Sequence, residues 1–331
     1  RMMLPCPFAR LAAVVRGCAW LLLTITLAAC SGDRRLYLQL NWVAEPEFGG
    51  FYAAERSGLF AKEGLAIELV QGGPQVPVPQ LVAAGKVEFA VVAANQLLEI
   101  CQQGGDLVAL YAVFQHNPKG VMVHAAAPWR TLQELWMSDA TVSCELGLAD
   151  FTWLDRVYPG GRRKVVPYSS NLAQFAADAS LAQQCFITSE PIALELQGTK
   201  TRTFMIGESG FDPYDAIVVT KRSYWEQNRA VCAGLVKALA AGWREYLNDP
   251  EAVNAVMAAL NPTMSPAAMR MGASVQAPLI ATEETARLGL GAMTEARWTT
   301  IVRQLRELGR LSGTGELGLP FVWDPAAGTA R

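Results

Sequence analysis

The stretch LYLQLNWVAEPEFGGFYAAERSGLFAKEGLAIELVQGG, Leu36 to Gly73, decides the fold class. It opens on Leu36-Tyr37-Leu38-Gln39-Leu40, an alternating run at the two-residue period of a strand. A polar, proline-containing loop follows, Asn41 to Phe48. Gly49-Gly50 lead into a helix-like segment, Phe51 to Arg56, that Gly58 stops. Leu59 to Glu63 makes one more turn with Gly64 as its C-terminal cap, and Ala66 to Val70 reads as a second strand running into Gly72-Gly73-Pro74. Strand, helix, strand predicts parallel strands with a right-handed crossover.

In an open parallel sheet, ligands bind beyond the carboxyl ends of the strands. The candidates after the first strand are Trp42, Phe48 and Tyr52, whose flat faces suit stacking, and Glu47, a carboxylate that is costly to bury unless paired. Gly49, Gly72 and Gly73 let backbone N–H groups come close to a bound molecule; the alternative for Gly72 and Gly73 is a simple turn.

Further along, Val87 to Val92 reads as a buried strand, followed by Asn95-Gln96 and a helix to Gln103 that Asn95 is placed to cap. Leu107 to Phe114 is a strand ending at Gln115-His116-Asn117-Pro118. Thr131 to Leu135 has a capping-box pattern, Ala140 to Glu145 is a strand, and Val165 to Tyr168 is another. Gln184 to Pro191 reads as a strand that delivers Glu190 to a cleft edge, and Ala216 to Thr220 as a strand preceded by Tyr214. Asn95, Gln96, His116, Tyr168, Glu190 and Tyr214 therefore join the candidate binding residues. From Tyr224 the period becomes helical, with Val231, Leu235, Leu239 and Trp243 on one stripe and Trp298, Ile301, Val302, Leu305 and Leu308 on another, both read as packing faces. The Gly- and Pro-rich tail after Gly309 is expected to wrap the surface.

With 331 residues the chain is expected to form about two domains. The net charge of −2, from 28 basic and 30 acidic residues without a basic stripe, gives no support for nucleic-acid binding. There is no G-x-S-x-G, Walker motif or HExxH, and the two histidines, His116 and His124, do not suggest a triad or a metal site, so neither cofactor nor metal is expected. The front end has Arg1, Arg10 and Arg16, a short apolar run from Cys18 to Ala28, and Leu27-Ala28-Ala29-Cys30. It reads as a signal peptide over residues 1–30, with cleavage before Cys30 and lipidation of its thiol. Cys101, Cys144, Cys185 and Cys232 lack metal-like spacing; Cys144 and Cys185 lie in strand-like runs that are expected to be neighbours with unpaired thiols.

LNW, EPEFGGFYAAERSGLFAKEG and LAIELVQGG together resemble the N-terminal signature of the thiamine-pyrimidine-precursor and sulfonate-type solute-binding proteins of ABC importers. The resemblance runs from about Leu36 to Leu260, and QHNPKGVMV resembles the point where that family crosses between lobes. It implies a type II periplasmic binding protein, α/β, with two lobes of mixed, mostly parallel sheet and a two-crossover hinge. Lobe 1 would comprise 31–117 and 215–331, and lobe 2 would comprise 118–214. It implies a monomeric lipoprotein of the cell envelope that binds a small planar heteroaromatic solute and docks on permease subunits. A sulfonate such as taurine, or a ligand-sensing role, is the alternative. The related fungal pyrimidine synthase uses a lysine, a histidine and a CCCFC motif; here Val92 and Gln96 stand at the first two places and CCCFC is missing, so no reaction is expected.

Overall fold

The computed structural model describes residues 34–169, 171–313 and 319–323. The predicted signal peptide and Cys30 lie outside them. Among the described residues, ten strands form two five-stranded sheets of matching design. The first has the order β2-β1-β3-β10-β4, built from β1 (Leu36–Gln39), β2 (Ile67–Val70), β3 (Phe89–Val92), β4 (Leu107–Phe114) and β10 (Asp215–Lys221). The second has the order β7-β6-β8-β5-β9, built from β5 (Lys119–His124), β6 (Thr141–Cys144), β7 (Lys164–Pro167), β8 (Leu181–Phe186) and β9 (Thr201–Met205). In each sheet the first three strands are parallel, and the fourth position is an antiparallel strand that enters straight from a crossover: β10 in the first, β5 in the second.

That antiparallel insertion positions the site. Asp215, the first residue of β10, pairs with Phe114 at the carboxyl end of β4. Lys119, the first residue of β5, pairs with Phe186 at the carboxyl end of β8. Both sheets thus present the start of one strand along the edge where the other strands finish.

Helix α1 (Gly49–Arg56) covers the first sheet and packs against α5 (Arg229–Asn248), whose Leu235, Leu239 and Trp243 are buried as the helical stripe predicts. Gly49 and Gly50 make this approach possible. A Cβ on Gly49 would lie 2.2 Å from the Tyr246 ring, and one on Gly50 would lie 2.3 Å from Trp243. Gly49 is thus a packing glycine, and because its N–H already donates to Pro46 O, the reading of it as a ligand-facing backbone donor is corrected. Helices α2 (Ala94–Gln102), α3 (Ala149–Val157), α4 (Glu190–Leu196), α6 (Glu251–Leu260), α7 (Pro266–Ile280) and α8 (Glu295–Glu307) complete the parts used below. Trp298, Ile301, Val302 and Leu305 of α8 are buried, and the tail returns at Phe321 to bridge Ala109 on the outer edge of β4.

Two boundaries differ from the sequence reading. Asn95 does not cap α2: it is the second helical residue, and the end is closed by Gln96, whose Oε1 accepts from Ala93 N–H at 3.1 Å. The strand expected over Gln184 to Pro191 stops at Phe186, because the Glu190 carboxylate accepts the Phe186 N–H at 2.8 Å and Pro191, lacking an N–H, opens α4. Cys101, Cys144, Cys185 and Cys232 are free thiols.

Gly50→Ala reads the α1–α5 contact. In an open helix the exchange would stabilise by about 0.5–1 kcal/mol; here overpacking against Trp243 reverses the sign, and urea unfolding is expected to show a loss of about 1–3 kcal/mol.

Candidate functional site

The residues that gather between the sheets come from the loop after β1, the turn after β8 and the two crossovers. Glu45 and Glu47 flank Pro46 in a short 3-10 turn, and both are buried (9% and 7% exposed). Glu190, at the start of α4, accepts from the Tyr168 hydroxyl at 2.6 Å and from Phe186 N–H. Lys119 reaches Asp215 at 3.2 Å and Asp150, on α3, at 3.8 Å. Lys119 thus answers Asp150 and Asp215 directly and Glu47 at longer range, while Glu45 and Glu190 lie against each other and Glu47.

Their electrostatics follow from that imbalance. Burial first, and the facing Glu190 carboxylate second, push Glu45 up to about 7, against a hydrogen bond from Trp42 that works the other way. Burial holds Glu47 well above the usual carboxylate range; the charges of Glu45, Asp215 and Glu190 add to this and Lys119 only partly offsets it. Glu190 is raised by burial, with the Tyr168 and Phe186 hydrogen bonds opposing. For Lys119, burial favours the neutral amine, but Asp150 and then Asp215 prevail and hold it above the ordinary lysine value.

The crossovers that carry Lys119 and Asp215 are tied together. Asp212 accepts Asn117 N–H at 2.6 Å, pairs with His116 Nδ1 at 2.7 Å and meets Arg297 Nη2 at 3.3 Å. Ala216, next to Asp215, has φ = 48°, a left-handed conformation that a non-glycine residue adopts only when its surroundings impose it. Its N–H donates to Asp215 Oδ1 at 2.8 Å.

The sequence candidates divide between this site and the core. Trp42, Glu47, Tyr168 and Glu190 come together in it, with Trp42 37% exposed at the rim. Asn95 is buried at the start of α2, and Gln96 is spent on closing that helix. His116 belongs to the crossover tie. Phe48 and Tyr52 are buried in the first sheet's core, Phe48 edge-on to Phe51 at 6.1 Å, so neither offers a stacking face. Tyr214 is likewise enclosed: its hydroxyl accepts Thr294 N–H, and Arg297 lies over its ring at 4.3 Å. Gly72 gives its N–H to Trp42 O at 2.9 Å, and a Cβ there would strike Leu40 O at 2.3 Å, so it is a turn glycine. Gly73 continues that turn, its carbonyl accepting from Val76 N–H. Glu45, Lys119, Asp150 and Asp215 were missed. For Lys119 and Asp215 the usable signal was position, since each immediately follows a crossover.

Among the described residues, no group of three or more His, Cys, Asp or Glu side chains is arranged to hold a metal ion, and no helix is long and apolar enough to cross a membrane.

A family model described as NMT1/THI5 like matches residues 45–136 and 163–253, together more than half the chain. The chain belongs to this family. A Haemophilus influenzae protein provisionally named for thiamine biosynthesis is 26% identical over 113 residues; the match covers 34% of this chain and 36% of that protein, about a third of each. The fold is that of periplasmic binding proteins. The aliphatic sulphonate binding protein SsuA of Escherichia coli superimposes with a TM-score of 0.64 at 15% identity, over 88% of this chain and 92% of that one. The ligand binding component of an ABC-type import system from Staphylococcus aureus gives 0.65 at 12% identity, over 88% and 97%. The desulfurization enzyme DszB gives 0.58 at 16% identity, over 86% and 95%, so the fold carries an enzyme as well as binding proteins.

The raised carboxylates fix a pH dependence. Glu45 stands near 7 in the folded protein and near 4.5 when unfolded, so its contribution is fully present below about pH 4.5 and is lost as pH rises through 7. Wild type and Glu45→Gln should therefore differ in unfolding free energy by an amount that changes by about 3 kcal/mol between pH 4.5 and pH 8, measured by urea titration of the ligand-free proteins.

Proposed function

We propose that this protein is the solute-binding component of an ABC-type importer, and that its two lobes close over a small planar solute bearing N–H donors or positive charge. The observation that carries this reading is the excess of carboxylates around Lys119 between the sheets. An unpaired buried carboxylate is strongly unfavourable. A ligand that presents amino groups to Glu45, Glu47 and Glu190 restores the balance. Trp42 at the rim supplies the stacking face, and Tyr168 orients Glu190. A pyrimidine of the thiamine-precursor type fits this chemistry, and the family and the Haemophilus influenzae relative point the same way.

The lobes would be residues 31–117 with 215–331, and 118–214, hinged at the crossovers. Cys30 would carry the lipid that holds a monomeric protein to the cell envelope, where the closed form docks on permease subunits. The sulfonate reading has support in the fold shared with SsuA, but a sulfonate would place its negative charge among these carboxylates. The enzyme reading lacks the residues that the fungal synthase uses.

A thermal-shift screen with aminopyrimidines, taurine and nitrate tests the ligand class. Aminopyrimidines are expected to raise the melting temperature and the two anions to leave it unchanged. Stabilisation by taurine alone would overturn the reading. By titration calorimetry, Trp42→Ala is expected to weaken the best aminopyrimidine about tenfold through lost stacking, and Glu47→Gln to weaken it at least as much.

A further inference from the structure

Helix α7 lies beyond the last residue that the family model matches, yet it touches both the Glu45–Glu47 turn and α4, which starts at Glu190. Gln276 is fully buried, and its Nε2 donates to Pro46 O at 2.7 Å, the carbonyl between Glu45 and Glu47. Asn261, in the turn before α7, donates to Ala44 O at 3.1 Å, while Ala44 N–H donates to Gln71 Oε1 at 3.0 Å. Side-chain amides thus fix the backbone immediately before Glu45 and again between the two glutamates.

One turn earlier on the same helix, Gly272 meets the other lobe. A Cβ added there would lie 2.9 Å from Pro46 Cγ and 2.9 Å from the carbonyl oxygen of Thr188, two residues before Glu190. Gln276 Oε1 and Thr188 Oγ1 are both buried without a hydrogen-bond partner, so this seam has polar capacity that its own packing does not use.

We propose that Gln276 and Gly272 are positioning residues: Gln276 aims Glu45 and Glu47, and Gly272 sets how closely the Glu190 turn approaches them. The spacing of the three carboxylates, and so the spacing of N–H donors that a solute must present, is set by a helix outside the family match. The effect on ligand choice rests on the solute-binding reading; the aiming of the carboxylates does not.

The test compares wild type, Gln276→Met and Gly272→Ala, each in full-length form, by urea unfolding at pH 4.5 and pH 8 and by calorimetry with 4-aminopyrimidine. Gln276→Met leaves Pro46 O with only the Gly49 N–H of its own turn, so the loop loses its tie to α7 and its carboxylates reach water. It is expected to keep the wild-type circular dichroism spectrum, to show, when Glu45→Gln is added, at most half of the pH-dependent change that Glu45→Gln produces in the wild-type background, and to bind 4-aminopyrimidine at least tenfold more weakly. Gly272→Ala is expected to weaken binding at least tenfold by holding the Glu190 turn away. If Glu45→Gln changes the pH dependence in the Gln276→Met background as much as in wild type, the proposal is overturned, whatever the binding result. If Gln276→Met does not fold, Asn261→Leu, which removes the donor to Ala44, is read in the same way. If wild type binds no aminopyrimidine, the solute reading fails while the pH comparison still decides this one.

Discussion

Everything at the meeting of the two sheets depends on one imbalance: several desolvated carboxylates against the Lys119 ammonium. Lys119 pairs with Asp215 and Asp150, which leaves the three glutamates under-compensated. In water such a set would ionise freely. Between the sheets, repulsion and burial reinforce each other, and the buried carboxylates hold protons that exposed ones would release. The rest of the molecule tolerates the arrangement because its cores are extensive. Large side chains such as Trp136, Trp243 and Trp298 are fully enclosed on either side of the crossovers. Local strain at Ala216 and the Asp212 tie sit at the crossovers between the two sheets.

Much of the fold was legible in the sequence because it is written in local rules. The opening strand–helix–strand unit, the β4 run from Leu107 to Phe114 and the stripe Leu235-Leu239-Trp243 all follow from period and from glycine punctuation. Where reading failed, a side chain did the work of the backbone. Gln96 closes α2 in place of Asn95, and the Glu190 carboxylate ends the strand after Phe186. Neither is visible as a propensity.

The site was legible only in part. Looking beyond the carboxyl ends of parallel strands finds Trp42, Glu47 and Glu190. It overlooks Lys119 and Asp215, because they are the first residues of antiparallel strands that run the opposite way and so reach the same edge. The aromatic candidates failed for another reason. Phe48, Tyr52 and Tyr214 are close to the site in sequence, but a ring fills a core as readily as it stacks on a ligand, and only the packing of α1 on α5 and of α8 on the crossovers tells these apart.

The placing of β10 between β3 and β4 also bears on how the chain comes to be folded. β3 and β4 share no hydrogen-bonded edge; each is paired to β10 alone on that side, and β10 arrives only after the whole second sheet has been threaded through. A chain emerging from its amino terminus must therefore carry two apolar strands with open edges for about a hundred residues of synthesis, the kind of exposure that invites association with other chains. The second sheet, drawn from one continuous segment, has no such wait, so the part of the protein made later is the part that can fold first.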